Sequence, residues 1–196
     1  KVQEICAVAP TPAKVHAETS YRMLSAHDVE TNILRNSLAT FAAAAGGADT
    51  LSVLPHTLAH GLPEHRARRL ARNAQLVLAQ ETHLSFLGNP SASTEDLDIL
   101  TASLCASAWD EFRQIEAEGG ILASLAAGHI QRRVAEARTQ RIKHLRAAPS
   151  QLIGGSNATS EDMPEIAVLH SSRQPVSEKG VALCERLPAL RLDEFL

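Results

Sequence analysis

The sequence predicts an α/β fold that is mostly helical. Its apolar residues make up 44% of the chain and are mainly alanine and leucine, which favour helices. Aromatic residues make up only 3%, whereas sheet-rich folds usually contain more aromatic and β-branched residues. Two short apolar segments alternate with helical patterns and supply the strands. At 196 residues, the chain is long enough for one domain, or for one domain followed by a tail.

The first strand–helix unit occupies the N-terminal quarter of the chain. Residues 13–19 alternate weakly between apolar and polar and predict a strand. Asp28 is a candidate N-cap for a helix over residues 29–45, which Gly46 and Gly47 end. Apolar residues recur in this helix at spacings of three and four and form a stripe. The residues of the stripe are Ile33, Leu34, Leu38, Phe41 and Ala45.

The second unit repeats this order. Residues 50–54 form an apolar run that Pro55 stops, as expected of a buried strand. Pro63 stands where a first helical turn begins, and a helix is predicted over residues 64–82. One side of that helix carries Ala67, Leu70, Ala71, Ala74, Val77, Leu78 and Glu81. Two successive units of this kind are typical of the end of a (β/α)8 barrel, whose earlier strands would lie outside this chain.

A helical annex follows. A capping pair, Ser93 and Asp96, precedes a helix over 94–118, after which come a short helix over 121–129 and a basic helix over 130–147. The apolar register of the longest helix is Leu97, Leu100, Leu104, Ala108, Phe112 and Ile115. From Pro149 onward the sequence is polar and broken by prolines, as in a linker. The predicted organisation is therefore two strand–helix units over 1–93, the annex over 94–148, and a linker or extended tail over 149–196.

Composition argues against several classes of function. The net charge is −3, so no global field attracts nucleic acid or an acidic membrane. No apolar run approaches the ~20 residues that span a bilayer. Three scattered cysteines, Cys6, Cys105 and Cys184, indicate a reducing, cytoplasmic setting rather than a disulfide framework. Because the chain starts at Lys1, we expect its N-terminus to be a cut within a longer protein.

Two groups of ionisable residues could form binding sites, but ordinary protein surface explains each of them better. His56, His60 and His65 have metal-like spacings, but prolines and a glycine place the first two in a loop, so we assign no metal site. One helix carries a basic run that could hold phosphate groups, although an ion-pairing or solvated face is the more common use of such a run. That run is Arg66, Arg68, Arg69 and Arg72.

A succession of motifs carries more information, because both their order and their spacing are specific. They are HAETS (16–20), NILR (32–35), FAAAAGGAD (41–49), LSVLP (51–55), GLP (61–63), RLARNAQ (69–75), QE (80–81), AW (108–109), IEAEGG (115–120) and GHI (128–130). This succession resembles the methylmalonyl-CoA mutase family, in the last part of its substrate-binding barrel, over about residues 10–149. Residues 190–195 resemble a segment that follows the barrel in the family's small subunits.

The resemblance implies a chemistry and a set of site residues. The family isomerises acyl-CoA thioesters by radical rearrangement with adenosylcobalamin, in a closed, dry cavity where polar groups at the strand ends orient the substrate. The substrate-facing candidates are Lys14, His16, Glu18, Thr19, Ser20, Ser52, Asn73 and Gln75. Glu81 is the cofactor-facing candidate, and no residue is assigned a catalytic or metal-ligating role.

The sequence departs from the catalytic subunits at several of these positions. Lys14 replaces an arginine, and Glu18 replaces a glutamine where a carboxylate would repel a carboxylated substrate. Ser52 and Leu54 replace a histidine and an asparagine. The Asp-x-His-x-x-Gly motif that supplies the cobalt ligand is absent from the 196 residues, so we expect this chain alone to bind no cobalamin.

Three functions are compatible with these features. The first is a structural, non-catalytic mutase subunit that forms a heterodimer with a catalytic subunit, through helices 94–118 and 130–147, in an enzyme that binds acyl-CoA and adenosylcobalamin. The second is a truncated catalytic chain that acts on an acyl-CoA. The third is a helical interaction protein unrelated to the mutases.

Overall fold

The computed structural model describes residues 2–9, 11–82, 95–147, 153, 165–171 and 183–195. The helices are α1 (Val2–Ile5), α2 (Thr31–Ala45), α3 (His65–Gln80), α4 (Glu95–Ala117), α5 (Ile121–Ala126) and α6 (His129–Ala147). The strands are β1 (His16–Glu18), β2 (Thr50–Ser52), β3 (Leu62–Pro63) and β4 (Val168–His170), and 3-10 turns occupy Tyr21–Met23 and Asp193–Phe195. The predicted loop over 86–93, with Ser93 of the capping pair, and much of the predicted tail lie outside the described residues.

The N-terminal half is a βαβ unit. Strands β1 and β2 pair in parallel, with His16 opposite Thr50 and Glu18 opposite Ser52, and α2 makes the crossover that parallel strands require. Both strands are three residues long, shorter than the predicted segments 13–19 and 50–54. The predicted strand–helix–strand order is therefore confirmed, while a closed barrel is not part of the described structure.

The buried face of α2 differs from the apolar stripe that its sequence displays. Asn32, Asn36 and Thr40, spaced by four residues, are buried, whereas Leu34 and Leu38 are 64% and 71% exposed. Asn32 and Asn36 donate to the backbone carbonyls of His56 and Leu54, at 2.9 and 2.7 Å. The helix thus turns its polar face inward because the adjoining loop presents backbone carbonyls that need donors.

A second, antiparallel pair lies within the sequence predicted as loop and tail. Strand β3 pairs with β4, with Leu62 opposite His170 and Pro63 opposite Val168. Gly61 has φ = +140°, and a Cβ on it would lie 2.1 Å from the His170 carbonyl oxygen. Only glycine fits this approach, which ties residues 168–170 to the loop before α3. The prediction of an extended tail is therefore wrong for this stretch.

Helix α3 packs as its sequence predicts in its N-terminal half, whereas Val77, on the same predicted side, is 43% exposed. Ala67 and Ala71, both on its predicted apolar side, are buried, and α3 contacts α2. The helix spans 65–80, within two residues of its predicted ends at 64 and 82. Among the described residues, the buried apolar side chains are Leu24, Val29, Pro63, Ala67, Ala71 and Leu145, which is a small core for the length of chain.

The annex contains the three predicted helices in the predicted order. Arg133 of α6 joins them, pairing with Glu111 of α4 at 3.2 Å and with Glu118 in the turn after α4. None of the α4 side chains is buried in the described structure. Its predicted apolar register is therefore largely exposed, at Leu97, Leu100, Leu104 and Phe112.

The chain closes on itself through residues 185–195, which we call the C-terminal strap. The Glu185 and Pro188 carbonyl oxygens accept hydrogen bonds from Gln131 and Arg138 of α6. Further along, the Leu192 N–H donates to the Arg22 carbonyl oxygen at 3.0 Å. The strap thus connects α6 with the loop that follows β1. In the described part of the chain, no helix combines the length and the apolar character needed to cross a bilayer.

Candidate functional site

The β1–β2 pair presents polar side chains on one face. Because side chains alternate along a strand, His16 and Glu18 point to the same face, and so do their partners Thr50 and Ser52. The His16 Nδ1 lies 2.7 Å from the Thr50 Oγ1. We call this set the polar sheet face. His16, Glu18 and Ser52, three of the predicted substrate-facing residues, are therefore brought together, and Thr50 is a member that sequence reasoning missed.

Thr19 and Ser20 follow β1 at the carboxyl end of the sheet. Thr19 is buried, and its Oγ1 accepts a hydrogen bond from the Leu54 N–H at 2.8 Å. Its own N–H donates to the Ser52 carbonyl oxygen at 3.0 Å. Thr19 therefore joins the two strand ends, and the exposed Ser20 begins the 3-10 turn that leads into the loop.

Lys14 lies at the other end of β1. Its Nζ is 3.3 Å from the Asp49 carboxylate, which also accepts a hydrogen bond from the Val15 N–H at 2.8 Å. These two donors, the Val15 N–H first, hold the pKa of Asp49 below its ordinary value. Lys14 thus marks the amino end of the sheet, away from Thr19 and Ser20.

The three predicted residues of α3 lie in different surroundings. Asn73 lines an apolar groove of about 350 Å³ between α2 and α3, together with Leu54, His56 and Asn36. Gln75 is half-buried, and Glu81 is exposed where α3 ends. Leu54 also lines this apolar groove. It stands at the position where the resemblance to the catalytic subunits implies an asparagine.

His56 is the titratable group of this groove. Burial lowers its pKa, and the nearby positive charge of Arg66 lowers it further. Both effects disfavour the protonated imidazole, and the carboxylates of Glu30 and Glu64 oppose them in part. The Oδ1 of Asn36, on the same groove, is buried without a hydrogen-bond partner in the described structure.

Three chain segments hold the loop between β1 and α2. Asn32 bonds both the N–H and the carbonyl oxygen of Ser25, each at 2.8 Å. His60 Nε2 lies 2.9 Å from the Ala26 carbonyl oxygen, and the buried Asp193 accepts from the Ala26 N–H at 2.7 Å. The sequence did not predict that Asn32, His60 and Asp193 hold this loop. Asn32 does lie in the NILR motif (32–35), and Asp193 lies in residues 190–195, so the family resemblance pointed to both segments.

No three histidine, cysteine, aspartate or glutamate side chains gather as a metal site would need in the ranges that the structure describes. Cys6, Cys105 and Cys184 are exposed, free thiols.

Fold and site together define the class of protein. A parallel βαβ unit with a crossover helix is the construction of α/β domains. More particularly, the chain matches the methylmalonyl-CoA mutase family over residues 8–194, and it belongs to that family. The match excludes the alternative of a helical protein unrelated to the mutases.

Relatives with closely similar sequences carry the same family name. The chain is 37% identical to the methylmalonyl-CoA mutase small subunit of Propionibacterium freudenreichii subsp. shermanii, over 68% of this chain and 21% of that protein. It is 33% identical to the small subunit of Streptomyces virginiae, over 99% of this chain and 30% of that protein. It is 42% identical to the probable small subunit of Mycobacterium tuberculosis H37Rv, over 56% of this chain and 19% of that protein. The chain thus spans less than a third of the length of these relatives.

Proposed function

We propose that this chain supplies the last two strands of the substrate-binding barrel in an adenosylcobalamin-dependent acyl-CoA mutase, within a structural subunit that supports a catalytic partner. The parallel β1–β2 pair with its crossover helix has the local form that such a barrel requires. The relatives named small subunits support the assignment to the non-catalytic partner. The three exposed thiols suit a cytoplasmic location.

The composition of the polar sheet face is the observation that carries the proposal. Glu18 places a carboxylate on this face, where it would repel the carboxylate of a methylmalonyl or succinyl group. Ser52 is shorter than the histidine it replaces, and Leu54 lines an apolar groove. Each lost hydrogen bond to substrate costs roughly 0.5–3 kcal/mol. At ~1.4 kcal/mol per tenfold change in rate, two or three such losses lower turnover by about fivefold at the least and about a millionfold at the most.

The cofactor belongs, in this proposal, to the assembled enzyme. Adenosylcobalamin supplies the radical that starts the rearrangement when it is bound. The histidines at the carboxyl end of the sheet do not fit the role of a cobalt ligand. His60 is bonded to the Ala26 carbonyl oxygen, and His56 is half-buried in the groove beside α3. We therefore assign this chain no ligand to cobalt. Glu81, exposed where α3 ends, is the residue that we propose faces the cofactor region.

The annex supplies the proposed interface with the catalytic subunit. Helix α4 exposes Leu97, Leu100, Leu104 and Phe112 along one side, more apolar surface than a solvated helix usually carries. Helix α6 adds exposed arginines, which are common at protein interfaces. We propose that these helices, predicted as the interface from the sequence, pack against the partner.

Activity assays on the full-length subunit test the proposal. The subunit alone should show no mutase activity with adenosylcobalamin and methylmalonyl-CoA, and co-expression with a catalytic subunit should give an active heterodimer. Free cobalamin should show no spectral change with the lone subunit. Robust turnover by the lone subunit would contradict the structural role and favour a catalytic chain, an alternative supported by the matching Asn73, Gln75 and Glu81.

A further inference from the structure

A cavity of about 590 Å³ lies between α6, the turn after β1 and the C-terminal strap. It is separate from the polar sheet face and has the volume of a small-molecule site, for which ~300–1,000 Å³ is common. Its apolar wall comes mainly from α6 and the strap. The residues of that wall are Val134, Ile142, Leu145, Leu190, Leu192 and Phe195.

The polar part of the lining is cationic. Arg22, Arg138 and Arg141 border the cavity, and none of them forms an ion pair with a carboxylate of the described residues. Arg138 donates to the Pro188 carbonyl oxygen at 3.2 Å, which leaves its charge uncompensated. Three unpaired guanidinium groups around one cavity create a local positive potential.

Neighbouring arginines show that carboxylate partners are otherwise provided in this region. Arg133 pairs with Glu111 and Glu118, and Arg191 pairs with Asp193 and Glu194. Arg191 also donates to the Tyr21 hydroxyl at 2.9 Å. Of the three strap carboxylates, Asp193 and Glu194 pair with Arg191, whereas Glu185 pairs with none of the described arginines. Among the described residues, no carboxylate pairs with the three arginines of the cavity.

We propose that this cavity binds an amphipathic anion, with a carboxylate or phosphate head group on an unbranched apolar chain. Guanidinium groups bind both head groups through paired, charge-assisted hydrogen bonds. The apolar wall removes the chain from water. Ser20 is the one predicted substrate-facing residue that also lines the cavity. The inference uses only the arginines and the apolar wall, so it does not depend on mutase chemistry.

Binding would also hold the strap in place. Leu190, Leu192 and Phe195 belong to the strap and form part of the wall. The strap in turn holds the loop after β1, through the Leu192 and Asp193 hydrogen bonds to Arg22 and Ala26. A ligand that contacts both sides of the cavity binds the docked strap only, so it stabilises that arrangement by mass action.

Titration calorimetry on the full-length subunit tests the proposal with four probes. Octanoate and octyl phosphate should both bind, while octanol and inorganic phosphate should bind at least tenfold more weakly. The tighter of the first two identifies the preferred head group. Octanol binding as tightly as octanoate, or no binding of either anion, would overturn the proposal without any variant being needed.

A pair of variants locates the site. The double variant Arg138→Gln and Arg141→Gln should weaken octanoate binding by about tenfold or more. Arg132→Gln removes an arginine of the same helix that does not line the cavity, and it should leave the affinity unchanged. An equal loss in both proteins, or an unchanged affinity in the double variant, would rule out this cavity as the binding site.

Discussion

Asn32 connects two separate segments of the chain through one side chain. It is fully buried, and its amide reaches the Ser25 backbone and the His56 carbonyl oxygen. Arg35 donates to its Oδ1 at 2.8 Å. A carboxamide suits this position because it donates and accepts at the same time. Asn32 therefore ties the loop before α2 to the segment that follows β2, in addition to the bonds that His60 and Asp193 make to the same loop.

Replacing this residue should be costly. We expect Asn32→Ala to lower the free energy of unfolding of the full-length subunit by about 3–5 kcal/mol, because three backbone groups lose their buried partner at ~1–3 kcal/mol each. Urea denaturation measures the change. Ser37→Ala is the matched control, since its hydroxyl bonds only the Ile33 carbonyl oxygen in the preceding turn, and it should cost less than ~1 kcal/mol. Equal losses in the two variants would contradict the role of Asn32.

His56 gives the stability a dependence on pH. Burial lowers its pKa in the folded state, so the unfolded state takes up the proton first as the pH falls below about 6.5. The contribution of neutral, partly buried His56 to the free energy of unfolding is fully present above that pH. It is lost progressively below it, because the unfolded state then binds more protons than the folded state. His56→Gln should make the free energy of unfolding less dependent on pH between 7.5 and 5.5. Ser37→Ala, which removes no titratable group, should retain the wild-type slope. An unchanged slope in the His56→Gln variant would count against this account.

At the scale of elements, sequence periodicity located the helices well. The predicted ends of α3 and α4 lie within two residues of the observed ones, because local spacing determines where a helix forms. The sequence predicted less well which face of a helix is buried. Asn32, Asn36 and Thr40 face inward because distant carbonyl oxygens need donors, and no local pattern contains that information.

Long-range pairing limited the prediction in the same way. Strands β3 and β4 are separated by more than one hundred residues, and the signal for their contact is a single glycine, Gly61. The polar sheet face was predicted only in part for the same reason, because its membership depends on how two distant strands pair. Sequence reasoning placed His16, Glu18 and Ser52 at strand ends, while Thr50 became visible only once the register of β1 and β2 was known.

Helix α4 provides a test of the proposed interface. Leu104→Glu places a charge within its exposed apolar stripe, and we expect it to weaken heterodimer formation with the catalytic subunit by about tenfold or more, since desolvating an unpaired charge is costly. Ala106→Glu adds the same charge about 200° around the helix, and it should leave assembly intact. Size-exclusion chromatography with light scattering on the co-expressed pair measures both. Normal assembly of the Leu104→Glu subunit would place the interface elsewhere.

At the scale of the whole molecule, the described structure has little to hold it together. The buried apolar side chains number six among the described residues. Leu34, Leu38 and Phe41 of α2 are exposed together with the stripe of α4. The polar clamps around Asn32, Thr19 and Asp193 fix the loops, but burial of apolar surface is the dominant stabilising contribution in folding. A larger assembly that covers α2, α4 and the sheet would supply what is missing.

This arrangement leads to a prediction for the 196-residue chain in isolation. Strands β1 and β2 pair with each other, and each has an unpaired outer edge within the part of the chain that the structure describes. Unpaired edges with nearby exposed apolar helices favour association between chains. We expect the isolated chain to self-associate in light scattering and to unfold over a broad range in calorimetry. The triple variant Leu34→Lys, Leu38→Lys and Phe41→Lys removes apolar surface without altering an edge. If the triple variant reduces self-association only in part, we attribute the association that persists to the strand edges. A monodisperse wild-type monomer that unfolds cooperatively would contradict the proposal that these strands belong to a larger barrel.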